Sequence, residues 1–189
     1  MRETGVLKAS DLLVSAEQQL PSGRGRPLRT GLRRAVSTVY YALFHCLAQC
    51  CADTLIGKTL RRTRAWNLAY RSLSHGRARE ACGQKRLLRS FPQEIQGFAD
   101  LIVDLQKERH TADYNPAQVF FKSDVVRQLR TARLTVERFE AADVRDRRAF
   151  PAHIRFRERP SSNPRVDRAT NPSGAQGHAR GGGRIARHC

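Results

Sequence analysis

The sequence predicts an all-α fold: an antiparallel up-and-down bundle of four to five helices with a disordered basic tail. Three observations lead there. Five stretches carry apolar residues at the i, i+3, i+4 spacing of an amphipathic helix. No strand-like alternation persists anywhere in the chain. The breaks between the stretches are short, as in bundles whose consecutive helices pack as neighbours.

The first helix is expected from about Glu3 to Gln19, with Ala9, Leu12, Leu13, Ala16 and Leu20 on one face; Pro21, Ser22, Gly23 and Gly25 end it. The second spans about Pro27 to Leu55. Its stripe of Leu32, Val36, Val39, Leu43 and Leu47 is widened by Tyr40 and Phe44, which marks it as the central helix, buried over much of its surface. The third covers about Arg64 to Cys82 and carries Trp66, Ala69, Tyr70 and Leu73. The fourth, Phe91 to Arg109, repeats Phe91, Ile95, Phe98, Ile102 and Leu105, with Pro92 in a first turn that has no use for its missing N–H. The fifth runs from about Ser123, read as its cap, to Ala142, on Val125, Leu129, Ala132, Val136 and Phe139.

Composition shifts after about Asp143. Residues 1–144 form the bundle. Residues 145–189 hold eleven Arg against three acidic residues, with four Pro and five Gly, and carry +8 of the formal net charge of +18. That tail has too little apolar surface to offset the entropy of ordering it, so disorder is expected there, with Ala149, Phe150 and Ile154 as residues that could dock briefly on the bundle. The sequence pI near 11.1 favours partners that bear phosphate or an anionic surface. An Arg-rich proteome is the bland alternative, because Arg far outnumbers Lys. No stretch is read as a membrane span, no signal-type apolar segment opens the chain, and a cytoplasmic location is expected. The five cysteines are odd in number, and Cys46, Cys50 and Cys51 crowd one helix; reduced, buried thiols fit better than a disulfide framework. No second Cys or His pair follows at zinc-finger spacing, so neither metal nor cofactor is expected.

Chemistry concentrates in three runs. Residues 32–45 read Leu-Arg-Arg-Ala-Val-Ser-Thr-Val-Tyr-Tyr-Ala-Leu-Phe-His, residues 65–76 Ala-Trp-Asn-Leu-Ala-Tyr-Arg-Ser-Leu-Ser-His-Gly, and residues 105–116 Leu-Gln-Lys-Glu-Arg-His-Thr-Ala-Asp-Tyr-Asn-Pro. In this order and on these helices they resemble the HEPN superfamily, in particular its small stand-alone bacterial branch. The resemblance covers nearly all of residues 5–142 and excludes the tail. It implies a helical bundle, often a homodimer. It also implies a role in binding RNA or nucleotide, in a toxin–antitoxin or defence setting, with a nucleotidyltransferase-type or antitoxin partner. Many members are metal-independent ribonucleases whose motif is an Arg followed by a His after four to six residues. The Arg neutralises a phosphate and the His moves the proton of the ribose hydroxyl.

Arg109 has the place of that Arg, but Tyr114 stands where the first allowed His would be, and Asn115 and Pro116 supply none. A variant Arg-x4-Tyr site would draw its proton transfer from His45 or His75, giving Arg109, Tyr114, His45 and His75 as catalytic candidates. Arg109, Asp113, Tyr114, Tyr41, Arg34 and Arg71 are the candidates for nucleic-acid contact. Arg109 and Tyr114 meet only if the helix ends near His110 and the chain turns back, which Thr111, Asp113, Asn115 and Pro116 favour. The third reading is a non-catalytic interaction module in which the polar cluster fastens two helices. Arg148 and His153 fit the motif spacing by chance in an Arg-rich tail, and Gly57-Lys58-Thr59 lacks the earlier Gly of a phosphate loop, since position 52 is Ala. Arg61, Arg62 and Arg64 read as solvated surface.

Overall fold

A helix that is apolar nearly all round has to be surrounded, and the second helix is. The computed structural model describes residues 6–20 and 28–156. Among these residues it contains helices and turns and no strand. The elements are α1 Ala9–Gln18, α2 Arg29–Leu55, a single 3₁₀ turn Lys58–Leu60, α3 Arg64–Arg71, α4 His75–Cys82, α5 Lys85–Leu88, α6 Gln93–Tyr114, α7 Lys122–Ala141 and α8 Val144–Arg155. α2 packs against α1, α3, α6, α7 and α8, and its thirteen buried residues form the axis of the core. The all-α bundle is as expected.

The core is continuous from α1 to α8. Leu13 and Ala16 of α1 reach Val39 and Leu43 of α2, and Ile95, Phe98 and Ile102 of α6 meet Leu129, Val136 and Phe139 of α7 in the same cluster. Phe98 stacks on Phe139 with ring centroids 4.0 Å apart. Gly31 admits the end of α1: a Cβ there would lie 2.9 Å from the Gln19 carbonyl oxygen. Gly57 ends α2 at φ 109°, a backbone that side-chain-bearing residues avoid.

Besides α1, which begins at Ala9 rather than near Glu3, four boundaries differ from the expected ones. The third stretch is two helices, because Ser72 Oγ donates to the Ala69 carbonyl and closes α3, while Ser74 Oγ accepts from Arg77 N–H and opens α4. α7 begins at Lys122, with Phe121 rather than Ser123 in the cap position. α6 continues to Tyr114. The fourth difference is α8, which occupies residues assigned to the tail. Asp143 Oδ1 accepts from Arg145 N–H to start it, and Phe150 and Ile154 are fully buried against the bundle. Phe150 meets Phe91 and Phe139 edge to face. The bundle therefore extends at least twelve residues beyond the expected boundary. The rest of the basic tail, 157–189, and the break at 21–27 lie outside the described residues.

Arginines close several helix ends. Arg77 donates from Nε to the Ile154 carbonyl (2.7 Å) and from Nη2 to the carbonyls of Phe156 (2.9 Å) and His153 (3.3 Å), satisfying the last turn of α8. Arg33 does the same for α6, donating to Asn115 (2.6 Å), Gln118 (3.1 Å) and Thr111 (3.5 Å). Arg155 Nη1 donates to the Ala69 carbonyl at the end of α3, and Arg147 Nε to Ala142 after α7. A cation over unsatisfied carbonyls meets both the hydrogen-bond demand and the negative end of the helix dipole.

Among the described residues α2 is long and apolar enough to cross a bilayer, contrary to the expectation that no stretch approaches that length, and 67% of the relevant 18-residue window is buried within the bundle. Cys46, Cys51 and Cys82 are buried free thiols and Cys50 is half-buried. Burial pushes Cys50 up to about 11 and Cys51 and Cys82 up to about 12, so these groups stay protonated near neutrality.

Because α8 is anchored by buried rings, Phe150→Ala is expected to lower stability by about 3–5 kcal/mol, the usual loss for a truncated core Phe. Thermal and urea unfolding of the full chain measure it. An unchanged midpoint would show that residues 144–156 are a tail after all.

Candidate functional site

Arg109 lies on α6, one turn before its end, and faces the middle of α2. Its Nη2 donates to the Tyr41 hydroxyl (3.2 Å), and its Nε lies 2.7 Å from Asp113 Oδ2, with side chains 19% and 29% exposed respectively. The Nε–H is off the axis to that carboxylate and is left without a hydrogen-bond acceptor, so the contact is an ion pair by charge and distance alone. The guanidinium also lies over two rings, 5.5 Å from the centroid of Tyr41 and 6.0 Å from that of Tyr40. Asp113 Oδ1 accepts from Ser37 Oγ of α2 (2.6 Å).

That network explains why α6 does not stop at His110. Thr111 Oγ1 donates back to the Lys107 carbonyl (3.1 Å), and Asp113 is held by Arg109 and Ser37. The short polar side chains that would compete for local backbone are thus engaged in helix-compatible bonds, and the stop falls at Asn115-Pro116. With the helix unbroken, Arg109 and Tyr114 diverge by about 140°. Tyr114 is 66% exposed and packs on His110, centroids 4.9 Å apart, one turn earlier. The expected convergence of Arg109 with Tyr114 is therefore absent, and the hydroxyl that Arg109 meets belongs to Tyr41.

His45 and His75 do enter the cluster. The Tyr40 hydroxyl is 2.7 Å from His75 Nδ1, and the Tyr70 hydroxyl 2.6 Å from His45 Nδ1. His75 lies against Phe44, centroids 4.0 Å apart, and edge-on to Tyr41; His45 is sandwiched between Tyr41 and Tyr70. Burial lowers the pKa of both rings, and for His75 the nearby Arg109 charge and then His45 add to it. Burial raises Tyr40 and Tyr70, keeping both phenols protonated. Where the protonated phenol donates to Nδ1, the ring carries its hydrogen on Nε2 and is a neutral donor there.

The cluster backs a cleft of about 410 Å³ between α2 and the end of α6. Tyr41 and Asp113 line it directly, together with Ser37, Thr38, Arg33 and Arg34, while Arg109 stands behind Tyr41 and Asp113. Arg33 is committed to the end of α6, and the exposed Arg34 takes no part in the ion pairs among the described residues. Arg71 is exposed in the last turn of α3 and takes no part in these contacts. Arg148 is exposed on α8 and His153 Nε2 is 2.9 Å from the Ala81 carbonyl, a bond between α8 and α4 that agrees with setting this pair aside. Sequence reasoning missed Tyr40, Tyr70 and Ser37 as partners. Tyr40 reads as one more core ring in a stripe, and nothing in spacing reveals which hydroxyl finds an imidazole from another helix.

Among the described residues no group of His, Cys, Asp and Glu is arranged to hold a metal ion. Comparison with protein-family models, curated proteins and solved structures finds no match to this chain.

Because both rings have depressed pKa values, the native state resists protonating them. Above the ordinary value of 6.5 both states hold neutral rings and the pair adds no pH dependence. Below it the unfolded chain takes up protons first, so stability falls as pH drops until the native rings also protonate. The melting temperature is expected to decline from about pH 7 to about pH 5, and less steeply in His45→Gln/His75→Gln. Thermal scans across that range check it, and parallel slopes in the two proteins would remove the histidines from the account.

Proposed function

We propose that the protein is a HEPN-like binder of RNA or nucleotide whose phosphate sits in the cleft between α2 and α6. The observation that carries this reading is a cleft lined by Tyr41, Ser37, Asp113 and the exposed Arg34, with the Arg109 guanidinium behind Tyr41 and Asp113. Arg34 meets the phosphate from the rim. Tyr41 and Ser37 offer hydroxyls, and Arg109 supplies positive charge from behind them. Asp113 is the internal counter-ion that holds Arg109 until an anion competes for it. The fold and the order of the three motif runs support the family; the dimer, the antitoxin or nucleotidyltransferase partner and the cytoplasmic setting belong to the same proposal.

Metal-independent cleavage of RNA is the second reading, favoured by the presence of two imidazoles in one cluster. One ring would take the proton of a ribose 2′-hydroxyl as that oxygen attacks phosphorus, and the other would protonate the departing 5′-oxygen. The tautomers favoured by Tyr40 and Tyr70 make both rings donors, which suits binding better than a general base. Incubation with mixed RNA in EDTA separates the readings: intact RNA supports binding alone, and cleavage lost in His75→Ala supports the enzyme.

Removing a charge-assisted contact worth about 1.5–3 kcal/mol lowers affinity roughly ten- to a hundredfold. Arg109→Ala is expected to weaken RNA binding by that factor, whereas Asp113→Asn, which frees the guanidinium, is expected to strengthen it. Arg34→Ala should reduce the slope of log affinity against log salt by about one. Filter binding with parallel melting curves tests all three. If Asp113→Asn and Arg109→Ala both lower the melting temperature and leave affinity unchanged, the cluster is a fastening between helices and nothing more.

A further inference from the structure

A second recess opens on another side of α2, between its C-terminal turns, the end of α7 and the start of α8. It is separate from the Arg109 cleft: on α2, Cys46 lies about 140° round from Tyr41. Its volume is about 540 Å³, within the ~300–1,000 Å³ of small-molecule sites. The floor is apolar and uncharged. Cys46 and Phe139 are buried there, Cys50 and Val144 complete it, and burial holds both thiols protonated.

The rim is cationic. Lys58, Arg61, Arg147 and Arg148 face it, against the two acids Asp53 and Glu140. Asp53 is already engaged, accepting from Arg61 Nε (2.9 Å) and Nη2 (2.5 Å) and from Trp66 Nε1 (3.0 Å). Arg147 has given its Nε to the Ala142 carbonyl. Lys58 and Arg148 are exposed, and none of the ion pairs among the described residues involves them. Lys58 and Arg147 lie close enough to the floor for their charges to act on the Cys50 thiol. The Gly57-Lys58-Thr59 run fails as a phosphate loop, yet the positive φ of Gly57 ends α2 at the lip of this recess, with Lys58 beside it.

We propose that this recess binds a small amphiphilic anion. Its phosphate or carboxylate head is held by Lys58 and Arg148, and its apolar body lies over Cys46, Cys50 and Phe139. Two cations outside the ion pairs among the described residues, against the one rim acid Glu140 that is also outside them, stand above an uncharged floor and match a ligand with one charged end better than an extended polyanion.

Trp66 is the chain's single tryptophan, and its indole N–H rests on Asp53 in the recess wall, so it reports occupancy. The full chain is titrated with adenosine 5′-monophosphate and with decanoate, following Trp66 emission, and with inorganic phosphate as the head alone. A saturable response to adenosine monophosphate or decanoate is expected, and which of them binds identifies the head. Affinity should fall roughly tenfold in Lys58→Glu/Arg148→Glu. Both positions are exposed, so the melting temperature should be unchanged. Arg109→Ala should bind the probe as the parent does, which keeps this result separate from that of the α2–α6 cleft. Absence of any saturable response to either organic probe overturns the proposal. So does equal affinity in the double variant, or loss of binding in Arg109→Ala alone.

Discussion

The burial of α2 is the constraint on which the rest of the structure depends. A helix surrounded on most sides cannot leave its polar side chains to water, so each needs a partner inside the protein. On α2 these partners come from five of its neighbours. Thr38 meets Gln19 of α1, Tyr40 meets His75 of α4, Tyr41 meets Arg109 of α6, His45 meets Tyr70 of α3, Cys50 donates to the Arg147 carbonyl of α8, and Asp53 meets Trp66 of α3. Apolar contacts are non-directional and tolerate sliding. These bonds do not, and they set the height and rotation of each surrounding helix.

The arginines obey a related logic. A net charge of +18 invites the view that the whole surface is an electrostatic lure. Yet Arg33, Arg77, Arg147 and Arg155 are turned onto carbonyl oxygens at or just beyond helix ends, and Arg61 is held by Asp53. Short helices with few acidic-to-basic side-chain pairs have many unsatisfied carbonyls per residue, and a long guanidinium reaches them across a gap that Lys would span with one donor. Arg34 at one cleft, and Lys58 and Arg148 at another, take no part in the ion pairs among the described residues.

Fold class was legible because amphipathic period survives in long helices: the stripes over 91–105 and 125–139 are regular, and both are helix. Legibility failed where local chemistry outweighs period. Ser72-Leu73-Ser74 splits a stretch whose apolar spacing runs straight through, since two serine side chains supply a stop and a start. α8 was hidden because its sequence is Arg-rich and contains Pro151, and only Phe150, Pro151 and Ile154 are buried. Three buried residues in twelve give a weak periodic signal, and the carbonyl clamp from Arg77 that holds the helix comes from 77 residues away. In the site, Arg109, Asp113, Tyr41, His45 and His75 were recognisable as residue types. Their grouping was not, because it turns on whether α6 ends before or after Tyr114, and that depends on Ser37, a residue on another helix.

The same bonds serve register and site, which constrains how a site can exist here at all. The Arg109 guanidinium is held over two tyrosine rings and beside Asp113, so it is preorganised, and an incoming anion meets a group that has already lost its rotamer freedom. The rings that hold it also pack on His75, whose partial burial and the nearby Arg109 charge lower its pKa and favour the neutral imidazole. A rigid cation beside neutral donors stabilises bound negative charge more than flexible lysines on an open face do, because none of these groups has to reorganise when the anion arrives. The cost of that arrangement is Asp113, a carboxylate within the anion's reach. Its contact with Arg109 is close but off the N–H axis. On the anion-binding reading proposed for this cleft, a counter-ion that neutralises the guanidinium while forming no directional bond to it is the weakest link to displace, and the geometry of this one pair would decide how readily an anion enters.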